Sequence, residues 1–433
     1  MTLPFTEHPL RHQVTAELHA RSYDRLRAPA RISYIASVCG ERGSGRNVRH
    51  LLRLLEHYGV PPPPEVGQHY AADLGAIRLR WERHTEFVTY TFCKQGPFAD
   101  PFAEPVLAEL PQDWLRDLPG EVIAATSLAL EGRDAPERSA EGLTALFAGN
   151  PVVGAQVVGG AGRAWSDLRV HADGCSRILL RDEGLSDGQA GRLARRILEV
   201  NAYRAMAFLG LPLAREVNGT LSDADRRLVA VAARIADRER SGDPHSEADL
   251  LAELSTLAAE IEAVTARSAY RFEAVRAYYR IVEQRLEQLR QGRIEGLQTF
   301  TEFLEARLAP AVATCNSTRA RQQDLAERAA RLTSLLRARV EVALQDQNRR
   351  LLESMNRRAK IQLRLQETVE GLSVIAISYY GVGLIGYVLK ALEAKGLPVD
   401  ASIDLGLAVP VVVGLAWLGL RLMKRRLLQE HGD

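Results

Sequence analysis

Two short runs carry residue types that could do chemistry. In "HPLRHQVTAELHAR", His8 and His12 stand four apart, with Glu17 and His19 following. On a helix the first two would share a face and could hold a divalent cation. Two histidines with no placed third ligand equally describe a helix whose imidazoles are hydrated. In "WERHTEF", an extended backbone puts Glu82, His84 and Glu86 on one side and Trp81, Arg83, Thr85 and Phe87 on the other. The first face could bind a cation and the second an oxoanion, although a charged strand face is usually only wet.

Other motifs are weaker. "GERGSGRN", from Gly40 to Asn47, is glycine-rich and basic and could cradle a phosphate at the start of a helix. It lacks the Gly-Lys-Ser/Thr ending of a P-loop and reads first as a surface turn. "VVGGAGRAW" is similar. Spacing assembles no Ser-His-Asp or Cys-His arrangement, so no enzyme class is indicated. Cys39, Cys93, Cys175 and Cys315 form no CxxC or other close ligand spacing and suit free thiols in a reducing cytosol.

The elements that must position these residues divide along the chain. With 433 residues and 46% hydrophobic content, two or three folded units are expected. The 56 basic and 54 acidic residues nearly cancel, which argues against a nucleic-acid partner. "MTLPFTEHPLRHQ" lacks the basic start and apolar core of a cleaved secretory signal. Residues 1–215 mix β-rich runs ("AIRLRWERHTEFVTYTF", "GEVIAATSLAL", "PVVGAQVVGG", "SDLRVHADGCSRILLR") with helical ones ("GRNVRHLLRLLEHYG", "SDGQAGRLARRILEVNAYRAMAFLG"). An α/β (α+β) cytosolic domain follows. "PPPPE" would be a stiff loop within it. In its last helix Ser186 and Asp187 are candidate caps, and Gly210 with Pro212 a natural stop.

Residues 216–370 are rich in Ala, Leu, Arg, Glu and Gln and read as a long helical stalk. Leu325, Leu332, Leu336, Val340, Leu344, Leu351 and Met355 form one stripe, which implies a helical partner. No breaker interrupts Ser317 to Glu370, so this helix, about 80 Å long, could run into the segment that follows. That segment holds 19 uncharged residues between Glu370 and Lys390, about 28 Å as a helix, the thickness of a bilayer's hydrocarbon core. A second uncharged run spans Leu405 to Leu420. The expected order is a transmembrane helix at 371–392, a short outer loop at 393–404, a second transmembrane helix at 405–423 and a basic tail at 424–433. Arg357, Arg358, Lys360 and Arg364 precede the pair and Lys424, Arg425 and Arg426 follow it, so both ends should face the cytoplasm. Within the first span Ser373, Ser378, Tyr380, Gly381, Gly383 and Gly386 could line a path or let a neighbouring helix approach closely.

Several of these words occur together in one family. "HPLRHQVTAELHAR", "APARIS", "LRWERHTEFVTYTF", "LPG" and "RRILEVNAYRAMAFLGLPLAR" resemble a bacterial family of membrane-anchored proteins known as a domain of unknown function, over nearly the whole chain. Where its members commonly read "HARP", this chain has "HARS". The resemblance implies the bacterial inner membrane and no stated activity. The architecture is also similar to that of CorA-type divalent cation channels, which are pentamers whose first span ends in a Gly-Met-Asn signature. Here the nearest match is Tyr380, Gly381, Val382 and Gly383, mid-span and without the asparagine. Two functions are therefore expected: a homo-oligomeric path for a cation or small solute lined by the first span, or a membrane-anchored adaptor or sensor.

Overall fold

A computed structural model describes residues 7–12, 14–15, 25–40, 44–64, 66–241, 247–393 and 401–429. The chain forms two compact units, Met1–Gly242 with Ala252–Thr333, and Asp243–Leu251 with Ser334–Asp433.

The first unit is built on a nine-stranded sheet in the order β2-β3-β4-β1-β5-β8-β7-β6-β9. Its strands are β1 (Ala30–Val38), β2 (His69–Leu74), β3 (Ile77–Arg83), β4 (Phe87–Gln95), β5 (Glu121–Glu131), β6 (Val153–Val157), β7 (Gly162–Val170), β8 (Ser176–Asp182) and β9 (Gly292–Arg293). The pairs are antiparallel except β5 with β8, which run parallel. Strand β1 is buried along nearly its whole length rather than at alternate residues, as a central strand covered on both faces must be.

Helices supply those covers. On one face lie α1 (Ser44–His57) and the short α2 (Gln112–Arg116). Leu51, Leu54 and Leu55 of α1, at helical spacing, meet Leu79, Trp81, Tyr90 and Phe92 of the sheet, all fully buried. Burying each such side chain stabilises the fold by roughly 1.5–3 kcal/mol. Beyond α3 (Ala140–Leu146), the other face is covered by α4 (Asp187–Phe208), which begins at a capping box between Ser186 and Gln189, as its cap residues suggest. Asn201 of α4 donates to Thr126 Oγ1 (2.7 Å) and Ser176 Oγ (2.8 Å), tying the helix to the parallel pair.

Three long helices follow: α5 (Gly210–Ser241), α6 (Glu247–Gln288) and α7 (Phe300–Glu393). Phe272, Val275 and Val282 of α6 and Phe300, Leu304, Leu308 and Val312 of α7 belong to the same core as α4. Helix α4 stops at Phe208, where Gly210 and Pro212 suggest a stop, but the same two residues also begin the next helix, since α5 starts at Gly210. Proline is tolerated in a first helical turn, where its missing N–H has no partner to lose. The glycine answers a steric demand, since a Cβ there would lie 2.3 Å from Val275 Cγ2 and 3.1 Å from Cys315 Sγ.

In the second unit, α7 continues without interruption through Glu393, and α8 spans Ala401–Gln429. The uninterrupted helix expected from Ser317 to Glu370 is thus observed and is longer than expected, reaching back through Pro310 to Phe300. Its stripe is buried at Leu325 and Leu336, while Leu344, Leu351 and Met355 are exposed. Both α7 and α8 contain a segment long and apolar enough to cross a membrane, with mean hydropathy 1.8 and 2.0 and with 11% and 0% of those segments buried.

Two glycines on α5 give opposite expectations. Gly210→Ala should lower stability by about 1–3 kcal/mol through overpacking against Val275. Gly219→Ala, where an added Cβ meets nothing within 4 Å, should instead raise it by about 0.5–1 kcal/mol. Thermal unfolding of the two variants beside wild type measures both.

Candidate functional site

The "WERHTEF" run folds as a hairpin and not as one strand. Strand β3 stops at Arg83, β4 starts at Phe87, and His84, Thr85 and Glu86 make the connection. The alternation expected over the whole run therefore ends at Arg83. Trp81 and Phe87 are not part of a free oxoanion-binding face: they are 0% and 1% exposed in the core, because helices cover both sides of the sheet. Glu82, on the side opposite Trp81, points toward α4.

Glu82 is the centre of a buried cluster of charge. Its Oε1 accepts from Arg195 of α4 at 2.9 Å and from Arg80 Nε at 3.2 Å, and lies 3.3 Å from His69 Nδ1. Arg195 also donates to Glu199 one turn later at 2.7 Å, and Glu199 accepts from Arg285 of α6 at 2.5 Å. Burial alone would raise the Glu82 carboxyl. The His69 hydrogen bond and the guanidinium groups of Arg195 and Arg80 outweigh it and hold the pKa at about 2. His84 moves the other way from its charged form: burial lowers its pKa to about 4 against the opposing pull of Glu82 and Glu199.

Glu86 serves a second cluster. Arg271 of α6 grips it with two hydrogen bonds, of 3.0 and 2.7 Å, and the Tyr278 hydroxyl donates to it at 2.6 Å. Aromatic rings connect the two clusters. His84 stacks on Phe87 with ring centres 4.2 Å apart, Tyr203 stacks on Tyr278 at 5.6 Å, and the Tyr203 hydroxyl is 3.4 Å from His84 Nδ1. Burial raises the pKa of both tyrosines, so their hydroxyls stay protonated.

A cavity of about 60 Å³ lies between sheet and α4, with Tyr34, Arg80, Glu82, His84, Arg195 and Tyr203 in its wall. That volume suits a few water molecules. Arginines hold Glu82 ionised, burial keeps His84 neutral and Tyr203 and Tyr278 protonated, so the shifts of these four groups lead away from proton exchange near pH 7. The arrangement acts as an electrostatic joint between the β3–β4 hairpin and helices α4 and α6. Glu82 and His84 meet in it, whereas Glu86 faces the neighbouring pair.

The other sequence candidates lie elsewhere. His8 and His12 do not share a helix face. His8 precedes the helical turn and its Nδ1 accepts the Leu10 N–H at 3.2 Å, while His12 Nε2 lies 2.8 Å from Glu7 Oε2. Glu17 and His19 fall outside the described residues, as do residues 41–43 of the glycine-rich run. Among the described residues no group of three or more His, Cys, Asp or Glu is placed to hold a metal ion. In α7, Ser373 donates to the Val369 carbonyl at 2.8 Å. Ser378 is buried, Tyr380 is exposed and Gly383 is open. A Cβ on Gly381 would lie 3.0 Å from Val412 Cγ1, and one on Gly386 3.3 Å from Leu405 Cδ1, so these two glycines pack against α8.

Sequence reasoning missed Arg195, Glu199 and Tyr203. Their spacing of four in "ARRILEVNAY" was the available signal, since it sets a cation, an anion and a phenol along one helix face. The chain belongs to the family described as protein of unknown function (DUF3422), whose model matches residues 6–427. No curated protein matches the chain.

The joint should make stability fall with acid. His84 is held neutral, so its contribution is complete above the unfolded value near 6.5 and is lost as pH falls toward 4; Glu82 adds a loss between about 4.5 and 2. Replacing His84 with Gln should remove on the order of 3 kcal/mol of this pH dependence between pH 6.5 and 4. Denaturant unfolding across that range reads it, and an unchanged slope would contradict the assignment.

Proposed function

We propose that this protein is anchored in a lipid bilayer by the hairpin of α7 and α8, and that several copies arrange α7 around a path for a cation or small solute. The soluble unit and both ends of the hairpin face the cytoplasm in this reading, following the basic residues on either side of the apolar segments. The observation that carries it is the composition of α7. One helix supplies Phe300, Leu304, Leu308 and Val312 to the soluble core and an apolar, largely unburied segment of membrane-crossing length at its other end. An event in the soluble unit therefore has a hydrogen-bonded backbone connection to the proposed span.

The likeness to CorA-type channels, and with it an assembly of five copies, rests only on the order of α/β domain, long helices and apolar hairpin along the sequence. An open face adds support. Tyr379, Tyr380, Leu384 and Tyr387 are each more than 70% exposed, and Gly383 has no neighbour. A path along this face would use hydroxyl and carbonyl oxygens, because no acid lies between Glu370 and Glu393. The packing of Gly381 and Gly386 against α8 favours a second reading, in which the hairpin only anchors a sensor or adaptor.

Flux of divalent and monovalent cations into liposomes, with oligomeric mass measured in detergent, separates the two. On the path reading, wild type conducts as an oligomer, and Gly383→Leu lowers flux by about tenfold or more while assembly is kept. Tyr380→Ala should alter the rate, and Gly381→Leu should disrupt the hairpin itself. Flux absent under every gradient from a correctly assembled oligomer would leave the anchored sensor. A monomer would rule out a shared path.

A further inference from the structure

A second cavity, unconnected with the Glu82 joint, lies in the first unit at the carboxyl ends of β5 and β8. It has a volume of about 860 Å³, within the range of small-molecule sites. Its position is that of ligand crevices in open sheets, where the loops leaving parallel strands part to leave a space. The loop after β5 forms one wall and is held in place from beneath: Arg181 donates to the carbonyls of Ala135 (2.7 Å) and Pro136 (2.9 Å). Pro29, Pro97 and Phe98 form an apolar wall.

Two charged groups in this cavity have unfilled capacity. Glu131, the last residue of β5, is only 4% exposed. Arg138 donates to its Oε1 through Nε at 2.8 Å and through a second nitrogen at 2.5 Å, while Oε2 is buried without a hydrogen-bond partner. A buried carboxylate oxygen left in this state costs about 1–3 kcal/mol or more, so a donor there is strongly favoured. Two residues further along, Arg133 is exposed, with its guanidinium beside Gly184 in the loop after β8. Of the other acids in the wall, Glu137 pairs with Arg163 and Asp182 accepts the N–H groups of Gly184 and Leu185, while Asp134 is exposed to solvent beside Arg133.

We propose that this cavity binds a small zwitterion with an apolar body, an amino acid or short peptide, whose ammonium reaches Glu131 Oε2 and whose carboxylate meets Arg133. The apolar part lies against Phe98 and the prolines. A ligand with only one of the charges leaves either the buried oxygen or the guanidinium unmet, so selectivity falls on the pair. A metal ion does not suit the cavity, since among the described residues no set of three or more His, Cys, Asp or Glu converges. The proposal stands whether or not the hairpin conducts.

The test is calorimetric titration of the full-length protein in detergent with L-phenylalanine, the dipeptide Leu-Phe, phenethylamine and 3-phenylpropionate. At least one of the two zwitterions should bind, and the amine and the acid should each bind about tenfold or more weakly. Arg133→Ala, a surface change that leaves folding intact, should weaken the zwitterion by about tenfold, and Glu131→Gln by at least as much. Binding of neither zwitterion at about 10 mM, equal binding of all four probes, or undiminished binding by Arg133→Ala would overturn the proposal.

Discussion

The first unit depends on one constraint: a carboxylate, Glu82, sits inside a sheet that helices cover on both faces. A charge so placed must be met by opposite charge, and the partners come from three directions, Arg80 on its own strand, Arg195 on α4 and, through Glu199, Arg285 on α6. Hydrophobic burial would hold these helices against the sheet in many similar positions. The ion chain selects among them, because sliding α4 by one turn would leave Glu82 facing Glu199 instead of Arg195. Glu86 repeats the device toward α6 with a two-pronged arginine and a phenol. The hairpin of β3 and β4 is thereby fixed to the helices that carry the rest of the molecule.

Much of this architecture was legible in the residues. Strands were read in "GEVIAATSLAL" and "PVVGAQVVGG" and are present as β5 and β6, and Ser186 caps α4. Period and capping are local properties, so a single chain displays them. Properties set by distant contacts were harder to see. The break at His84 came from hairpin closure, which no alternation of polar and apolar residues announces. The role of Gly210 came from Val275 and Cys315, far along the chain. Within the joint, Glu82 and His84 were recognisable as chemistry-bearing residues, but the pairing of Glu82 with Arg195 and of Glu199 with Arg285 was not, because both arginines look like surface residues in helices full of arginine.

The same difference of scale applies to α7. Its apolar segment was evident from composition, and its continuity from the absence of breakers. Which glycines touch α8 and which stay open depends on the rotation of one helix against the other, a quantity only coordinates supply. Gly381 and Gly386 turn inward and Gly383 does not. The tyrosines beside Gly383 border a cleft whose other wall is Leu405, Val409 and Val413 of α8, and the two readings of the hairpin divide over whether that cleft is open or filled.

The order in which the core is filled bears on biosynthesis. Phe300, Leu304, Leu308 and Val312 complete the core beneath the sheet, and they belong to the helix that carries the first apolar segment. A nascent chain cannot close this core until those residues have left the ribosome, and the apolar segment follows a few tens of residues later. Folding of the first unit and emergence of the apolar segment therefore follow one another on a single timetable. A delay in closing the core would leave an open sheet and an apolar helix exposed together.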